Sequence, residues 1–459
     1  MKYLSLLLLF MGLSLSKLHP QSFYTGADLS YVKELVGCGV DWKENNNAKD
    51  VLSILKDNGA NIVRFRIWHT PSTGKNGYSD TEAMIARAKA KGLKVILDIH
   101  YSDTWADQGK QKCPAAWISV VDNNSLLADS LYNYTRKILQ TLKEKGLTPE
   151  FVQVGNETNG GMCFPGDGTV TWPTNWSKQT LLFNAGIKAV RDVDAGIKII
   201  LHVADPKNAE WWAGELKKNN VTDYDILGIS FYPTWHTTTI NGFGTIITNI
   251  TNTYQKKIMV VETGLPWTNS WNDNTSNIMN GVPAGLGSTP SPEIQAQWLI
   301  DLTNKMLATG GMGVIYWEPA LVASHVSGCP AEPGGSVWEN VALFDFSNNL
   351  MPNGGIRFCQ LFLGIKHETA APCDISLSTF PNPANDKLKV QFNTKSGSDA
   401  SFEIYDMQGK LIQRFTKITE MGLNTIAIDL TGSGLVNGLY ILRLTINKVP
   451  YHLAFTVNR

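Results

Sequence analysis

Two glutamates stand where they could do chemistry. Glu157 closes the apolar run 151–157 (FVQVGNE) and Glu262 closes 257–262 (KIMVVE), so each puts a carboxylate where a strand-like segment opens into a loop. An ionised carboxyl at such a point is costly unless partners or a task hold it there. Either one alone is as readily a structural salt bridge; the two together, facing each other, suit cleavage of a glycosidic bond. One carboxyl would protonate the leaving oxygen while the other attacks the anomeric carbon or activates a water. A separation of about 5–5.5 Å goes with a covalent intermediate and retention, and about 6.5–9.5 Å with inversion. The sequence alone does not give this distance.

Other strand-like segments end in residues that could serve the pair. Arg64 lies in the run 61–68 (NIVRFRIW) and could hydrogen-bond a nucleophilic carboxylate, keeping it ionised; Arg66 has the same side-chain parity, so both stay open. Asp98 and His100 end 93–100, His202 ends 197–202, and Tyr232 ends 226–232, where it could orient the nucleophile. Trp317 ends 313–317 and could floor a cleft. Asn156 opens an Asn-Glu-Thr glycosylation triplet, which its place beside Glu157 argues against.

The elements that must position these residues are short β-branched runs separated by helical patterns. Val51, Leu52 and Leu55 share one helix face in 48–58, which Gly59 stops; 81–91 is a second helix, stopped by Gly92. With a first strand near 26–30 the pattern reaches eight β/α units, which predicts a (β/α)8 barrel with its working residues at the C-terminal strand ends. A doubly wound open sheet would need a glycine-rich phosphate loop after its first strand, and none is present. Beyond about residue 370 the pattern changes to alternating segments (388–392, 402–405, 425–429, 440–445, 452–457) with turn residues between them, predicting a small antiparallel β-sandwich. The expected division is a signal peptide over 1–22, a catalytic barrel over 23–368, and a linker with a C-terminal β-domain over 369–459.

Composition agrees with an exported chain. Forty basic and forty acidic residues balance, with no basic run for nucleic acid. One lysine precedes the apolar run 4–15, a leader pattern too short to span a membrane, and no later segment would cross one. Fourteen Trp and fourteen Tyr supply material for sugar platforms as well as for a core. Six cysteines (38, 113, 163, 329, 359 and 373) permit disulfides; Cys113 and Cys163 both follow strand-like runs and could meet.

Several blocks closely resemble the family 53 glycoside hydrolases, the endo-β-1,4-galactanases. They are Arg64-Phe65-Arg66-Ile67-Trp68, His100-Tyr101-Ser102-Asp103-Thr104-Trp105-Ala106-Asp107, Val152-Gln153-Val154-Gly155-Asn156-Glu157, Tyr232-Pro233-Thr234-Trp235-His236 and Glu262-Thr263-Gly264-Leu265-Pro266-Trp267. They run in order over nearly the whole barrel. The Asn-Glu pair alone would indicate only the larger clan A, whose members on mannan, xylan or β-glucan share both glutamates. The resemblance implies a retaining endo-hydrolase of pectic galactan with Glu157 as acid/base, Glu262 as nucleophile, and no required cofactor. It implies that Asn156 meets the sugar 2-hydroxyl and that Trp105, Trp235, Trp267 and Trp317 are sugar platforms. Some bacterial relatives hold a structural calcium after the seventh strand; here the loop 271–277 offers Asp273 and several Asn oxygens.

The last segment, with Phe380-Pro381-Asn382-Pro383-Ala384, Ile404-Tyr405-Asp406-Met407-Gln408-Gly409 and Gly438-Leu439-Tyr440-Ile441-Leu442, resembles the sorting domains of the type 9 secretion system. This implies passage through outer-membrane secretion machinery to a secreted or surface location, with removal of the tail. A carbohydrate-binding module is the rival reading, and the segment has no Trp to serve as its platform. A catalytically dead glycan-binding protein is the rival at the level of function, and the presence of both glutamates argues against it. The mature chain is expected to be a monomer.

Overall fold

Eight segments buried on both faces pair in parallel and close on themselves: β1 (Tyr24–Asp28), β2 (Ile62–Ile67), β3 (Lys94–Ile99), β4 (Phe151–Val154), β5 (Lys198–Ala204), β6 (Ile226–Ser230), β7 (Lys257–Glu262) and β8 (Gly313–Tyr316). β8 returns to β1 with Gly26 level with Ile315, which closes the barrel. The computed structural model describes residues 23–283, 285–329, 335–361, 377–394, 397–406, 410–432, 434–446 and 449–458. The expected leader, Cys373 and most of the turn at 407–410 lie outside the described residues.

Each of the first seven strands is followed by a helix that covers it: α1 (Val51–Asp57), α2 (Tyr78–Ala90), α3 (Asn124–Glu144), α4 (Trp176–Val193), α5 (Ala209–Lys218), α6 (Ile240–Tyr254) and α7 (Pro292–Ala308) after β1 to β7 in turn; a single turn, Arg357–Gln360, follows β8. Their starts are chemically marked. Asp50, Asn123, Asn175, Thr239 and Ser291 each accept a bond from the backbone N–H three residues on, satisfying a donor the helix leaves unpaired. Inside the barrel, alternation stacks the side chains in layers. Ile62, Ile96, Phe151, Ile200 and Ile226 form an apolar floor. Two residues further along the same strands stand Arg64, Asp98, Gln153 and His202, and another step brings Arg66, His100 and Ser230, all buried. The polar residues therefore line the C-terminal mouth over a dry base.

The C-terminal region folds as two antiparallel sheets. β9 (Ser378–Phe380), β10 (Lys387–Thr394) and β13 (Gly422–Asp429) form one; β11 (Ser398–Tyr405), β12 (Leu411–Thr419), β14 (Gly438–Ile446) and β15 (Val449–Val457) form the other. Leu388, Val390, Phe392, Phe402, Ile404, Leu442 and Leu444 face inward and make a core of their own. β9 and β12 were not foreseen. β12 is an edge strand with much of its length exposed, Ile418 at 80%, so it lacks the alternation that marks the others.

Among the described residues there is one disulfide, Cys38 to Cys329. Cys113 and Cys163 do meet, on segments joined by a bridge between Lys112 and Phe164, but both are buried free thiols hydrogen-bonded to each other.

Candidate active site

β4 ends at Val154, and the chain must turn at once to bring two successive side chains over the mouth. Gly155 supplies the turn at φ +84°, where a Cβ would lie 2.6 Å from Thr158 Cγ2. Glu157 then sits at φ +46°, a left-handed conformation that a glutamate adopts only when its surroundings impose it. Asn156 is held at both ends: its Oδ1 accepts from Arg64 Nη2 at 2.8 Å and its Nδ2 donates to the Ala106 carbonyl at 2.8 Å.

Glu262 reaches the same space by a different device. Met259 and Val261 belong to the barrel floor, so strict alternation would point Glu262 outward. The pairing of β6 with β7 slips between Ile229 and Ser230, placing Ser230 level with Glu262, and the irregularity turns the carboxyl in. There Arg64 Nη2 lies 3.0 Å from its Oε1 and the Tyr232 hydroxyl donates to its Oε2 at 2.9 Å.

The two carboxyls share one pocket: an oxygen of Glu157, an oxygen of Glu262 and a ring nitrogen of His202 all lie within 4.8 Å of one another. Their electrostatics differ. Burial and then the Glu262 charge push the Glu157 carboxyl up to about 8, only partly offset by the Ser230 hydroxyl 2.6 Å from its Oε1. Burial also raises Glu262, but Arg64 stands against it as a direct counter-charge and Tyr232 donates to it. A single proton shared by the pair therefore belongs on Glu157. Asp98 shows the same balance with the opposite outcome. Burial opposes ionisation, yet Arg64 at 2.8 Å and His100 at 2.9 Å hold its carboxyl below the ordinary range.

Behind Glu157 runs a chain of hydrogen bonds. Ser230 Oγ lies 2.9 Å from His202 Nε2, and His202 Nδ1 lies 2.9 Å from Asn156 Oδ1 and 3.2 Å from the Glu157 backbone N–H. Burial, then Arg64, depresses His202 so that its ring is neutral. The Glu157 backbone N–H, and the Gln153 amide Nε2 at 3.1 Å, both donate to Nδ1, so the ring proton sits on Nε2, which donates to Ser230, and the Ser230 hydroxyl donates to the Glu157 carboxylate.

The other expected residues divide into two groups. Arg64, Asp98, His100, His202 and Tyr232 all join the network around the pair, and Arg66 is separated from it: Arg66 pairs with Glu318 at 2.7 Å. Its guanidinium lies 4.3 Å from both the Tyr31 and the Trp105 ring centroids, so it stiffens Trp105 from beneath. Trp105 and Trp317 face one another at 6.0 Å, and Trp235 packs on Tyr232 at 5.0 Å. The Trp267 ring packs on Phe346 and its indole N–H donates to the Glu339 carbonyl. Ser230 and Glu318 were missed. Both carried the signal used for the others, a polar residue at a strand end: Ser230 shares the parity of Tyr232, and Glu318 follows Trp317.

The loop after β7 packs against 336–340. Asp273 accepts from the backbone N–H of Thr275 at 2.5 Å and of Ser336 at 2.7 Å. Burial pushes the Glu339 carboxyl up to about 7, with Asp273 nearby adding to the shift. Glu339 Oε2, Asn277 Oδ1, Asn340 Oδ1 and Thr275 Oγ1 are buried with no hydrogen-bond partner.

Residues 378–453 match a secretion system C-terminal sorting domain, which marks the chain for secretion or surface export with removal of the tail. No helix among the described residues is long and apolar enough to cross a membrane. Among curated proteins, the arabinogalactan endo-β-1,4-galactanase of Cellvibrio japonicus is 40% identical over 338 residues, covering 72% of this chain and 89% of that one. The endo-β-1,4-galactanase of Bacillus subtilis is 36% identical over 375 residues, covering 72% and 85%. Among solved structures, the family 53 catalytic domain of Ignisphaera aggregans aligns with a TM-score of 0.67 at 32% identity, covering 75% of this chain and 97% of that one. A fungal β-1,4-galactanase aligns at 0.62 and 31%, covering 73% and 98%. Residues 24–354 match the profile of glycosyl hydrolase family 53, and because that match spans every strand of the barrel, the chain belongs to this family of glycoside hydrolases.

Proposed function

We propose that this protein cleaves β-1,4-linked galactan internally, with retention, through Glu157 and Glu262. The observation that carries the reading is that an oxygen of Glu157 and an oxygen of Glu262 lie within 4.8 Å of each other, which favours the closer-set pair of a covalent mechanism. In the first step Glu157 gives its proton to the glycosidic oxygen while Glu262 attacks the anomeric carbon, releasing one chain end and leaving a glycosyl ester. In the second, Glu157 takes a proton from water, whose oxygen attacks the same carbon and frees Glu262. Arg64 and Tyr232 hold Glu262 ready as the anion, Asn156 offers its remaining amide N–H to the sugar 2-hydroxyl, and Trp105, Trp235 and Trp317 hold the chain. The choice of galactan rests on the names of the relatives. Debranched β-1,4-galactan should yield short oligosaccharides whose first-formed reducing ends are β, as read by NMR. Release from mannan, xylan or carboxymethyl cellulose instead would keep the mechanism and discard the substrate. A wild-type protein that binds glycan but releases nothing would reduce the chain to a binding protein.

We further propose that the loop after β7 binds a structural calcium. A hard cation takes oxygen ligands, and this region offers the Asp273 carboxylate together with buried unpartnered oxygens on Thr275, Asn277, Glu339 and Asn340. A bound cation would hold this loop against 336–340. Calcium should raise the melting temperature of EGTA-treated protein, and Asp273→Ala should abolish that rise. The sorting domain is read as engaging outer-membrane secretion machinery, and the exported enzyme as a monomer, which light scattering would test.

A further inference from the structure

Among the described residues, the exposed tryptophans are Trp105, Trp172, Trp211, Trp235 and Trp271. They lie, in order, in the segments that follow β3, β4, β5, β6 and β7, so all five crown the rim of the mouth. Nothing in a barrel fold requires exposed indoles, and their concentration on one rim marks a contact surface. Trp105 and Trp235 belong to the cleft and Trp271 to the Asp273 loop. Trp172 and Trp211 are unassigned. They are 56% and 44% exposed and pack on each other with ring centroids 5.8 Å apart at 50°. Both are held on firm supports. The Trp172 ring lies so close to Gly160, on the loop that carries Glu157, that a Cβ there would come within 3.3 Å of it. Trp211 stands in the first turn of α5.

We propose that Trp172 and Trp211 form an outer platform for the galactan chain, beyond the cleft on the Glu157 side. The proposal rests on the galactan reading. Galactan is uncharged, so recognition outside the cleft must use its C–H faces and hydroxyls. The axial O4 of galactose, through which the chain is linked, leaves the opposite ring face rich in C–H groups, which suits an indole. Continuity with the tryptophan rim of the cleft favours the polymer over an apolar protein partner.

The test compares wild type with Trp172→Ala/Trp211→Ala and with Trp172→Phe/Trp211→Phe. Affinity electrophoresis in debranched galactan is run in a Glu262→Gln background, and kinetics are run with galactan and with galactotetraose. The alanine pair should weaken polymer affinity and raise KM for galactan roughly two- to tenfold relative to KM for galactotetraose, the range expected for lost aromatic stacking. The phenylalanine pair should restore most of it. Unchanged polymer affinity in the alanine pair overturns the proposal. So does an equal loss on both substrates, which would mean a structural role, or loss of a dimer on size exclusion with galactan affinity intact. A wild type that hydrolyses another polymer and ignores galactan overturns the substrate reading, and the platform for galactan with it.

Discussion

The Glu157 carboxyl keeps its proton to about pH 8, against an ordinary value of 4.5, because burial and Glu262 both disfavour its charge. Between those limits the folded chain holds a proton that the unfolded chain has lost, so this residue's contribution to stability falls as pH rises from about 4.5 to 8. Glu157→Gln has no proton to lose. Its melting temperature should gain on that of wild type steadily from pH 5 to pH 8, and a constant difference across that range would rule out the buried carboxyl as the cause. The same variant should lower kcat on galactan by about 10²–10⁴-fold, the usual worth of a general acid. Ser230 acts in the other direction: its hydroxyl favours the ionised form of Glu157. Ser230→Ala should therefore move the basic limb of the kcat/KM profile to higher pH, and a limb that stays put or moves down would exclude the Ser230–His202 chain from the titration.

At the scale of elements, the ends of the strands matter more than their bodies. β2, β3 and β7 were readable because β-branched runs buried on both faces have few other folds to enter, and α1 and α2 because Gly59 and Gly92 stop them. What alternation could not give is the inward turn of Glu262, since it depends on a slip of β7 against β6. The turn at Gly155 is more local. Gly155→Ala would force a Cβ into a left-handed conformation and against Thr158, costing about 1–3 kcal/mol. Denaturant melts should show that loss, with a fall in kcat beyond it because Glu157 is displaced. A variant that loses stability with kcat intact would mean the turn does not aim the carboxyl.

At the scale of the molecule, the apolar clusters of the barrel, its floor and the layer around it, share no buried residue with the core of the C-terminal sheets among the described residues. A chain reduced to residues 23–361 should therefore fold cooperatively and hydrolyse galactan like the full chain, while losing export. Loss of cooperative unfolding in the shortened chain would show that the barrel leans on the tail.

The sequence by itself determined the barrel, the sandwich, both glutamates and most of the polar residues around them, because continuous β-branched runs in the barrel, alternation in the C-terminal strands and strand-end position are local properties that tertiary contacts here reinforce. Only the tertiary structure decided which arginine serves Glu262. Arg64 and Arg66 point the same way along β2, and the difference lies in what β7 and the segment after β8 bring opposite each: Glu262 for Arg64, Glu318 for Arg66. It also seated Trp267 against Phe346, put the proton shared by the two carboxyls on Glu157, and set Trp172 beside Trp211. All of these depend on distances between segments far apart in the chain, and no local pattern encodes such distances.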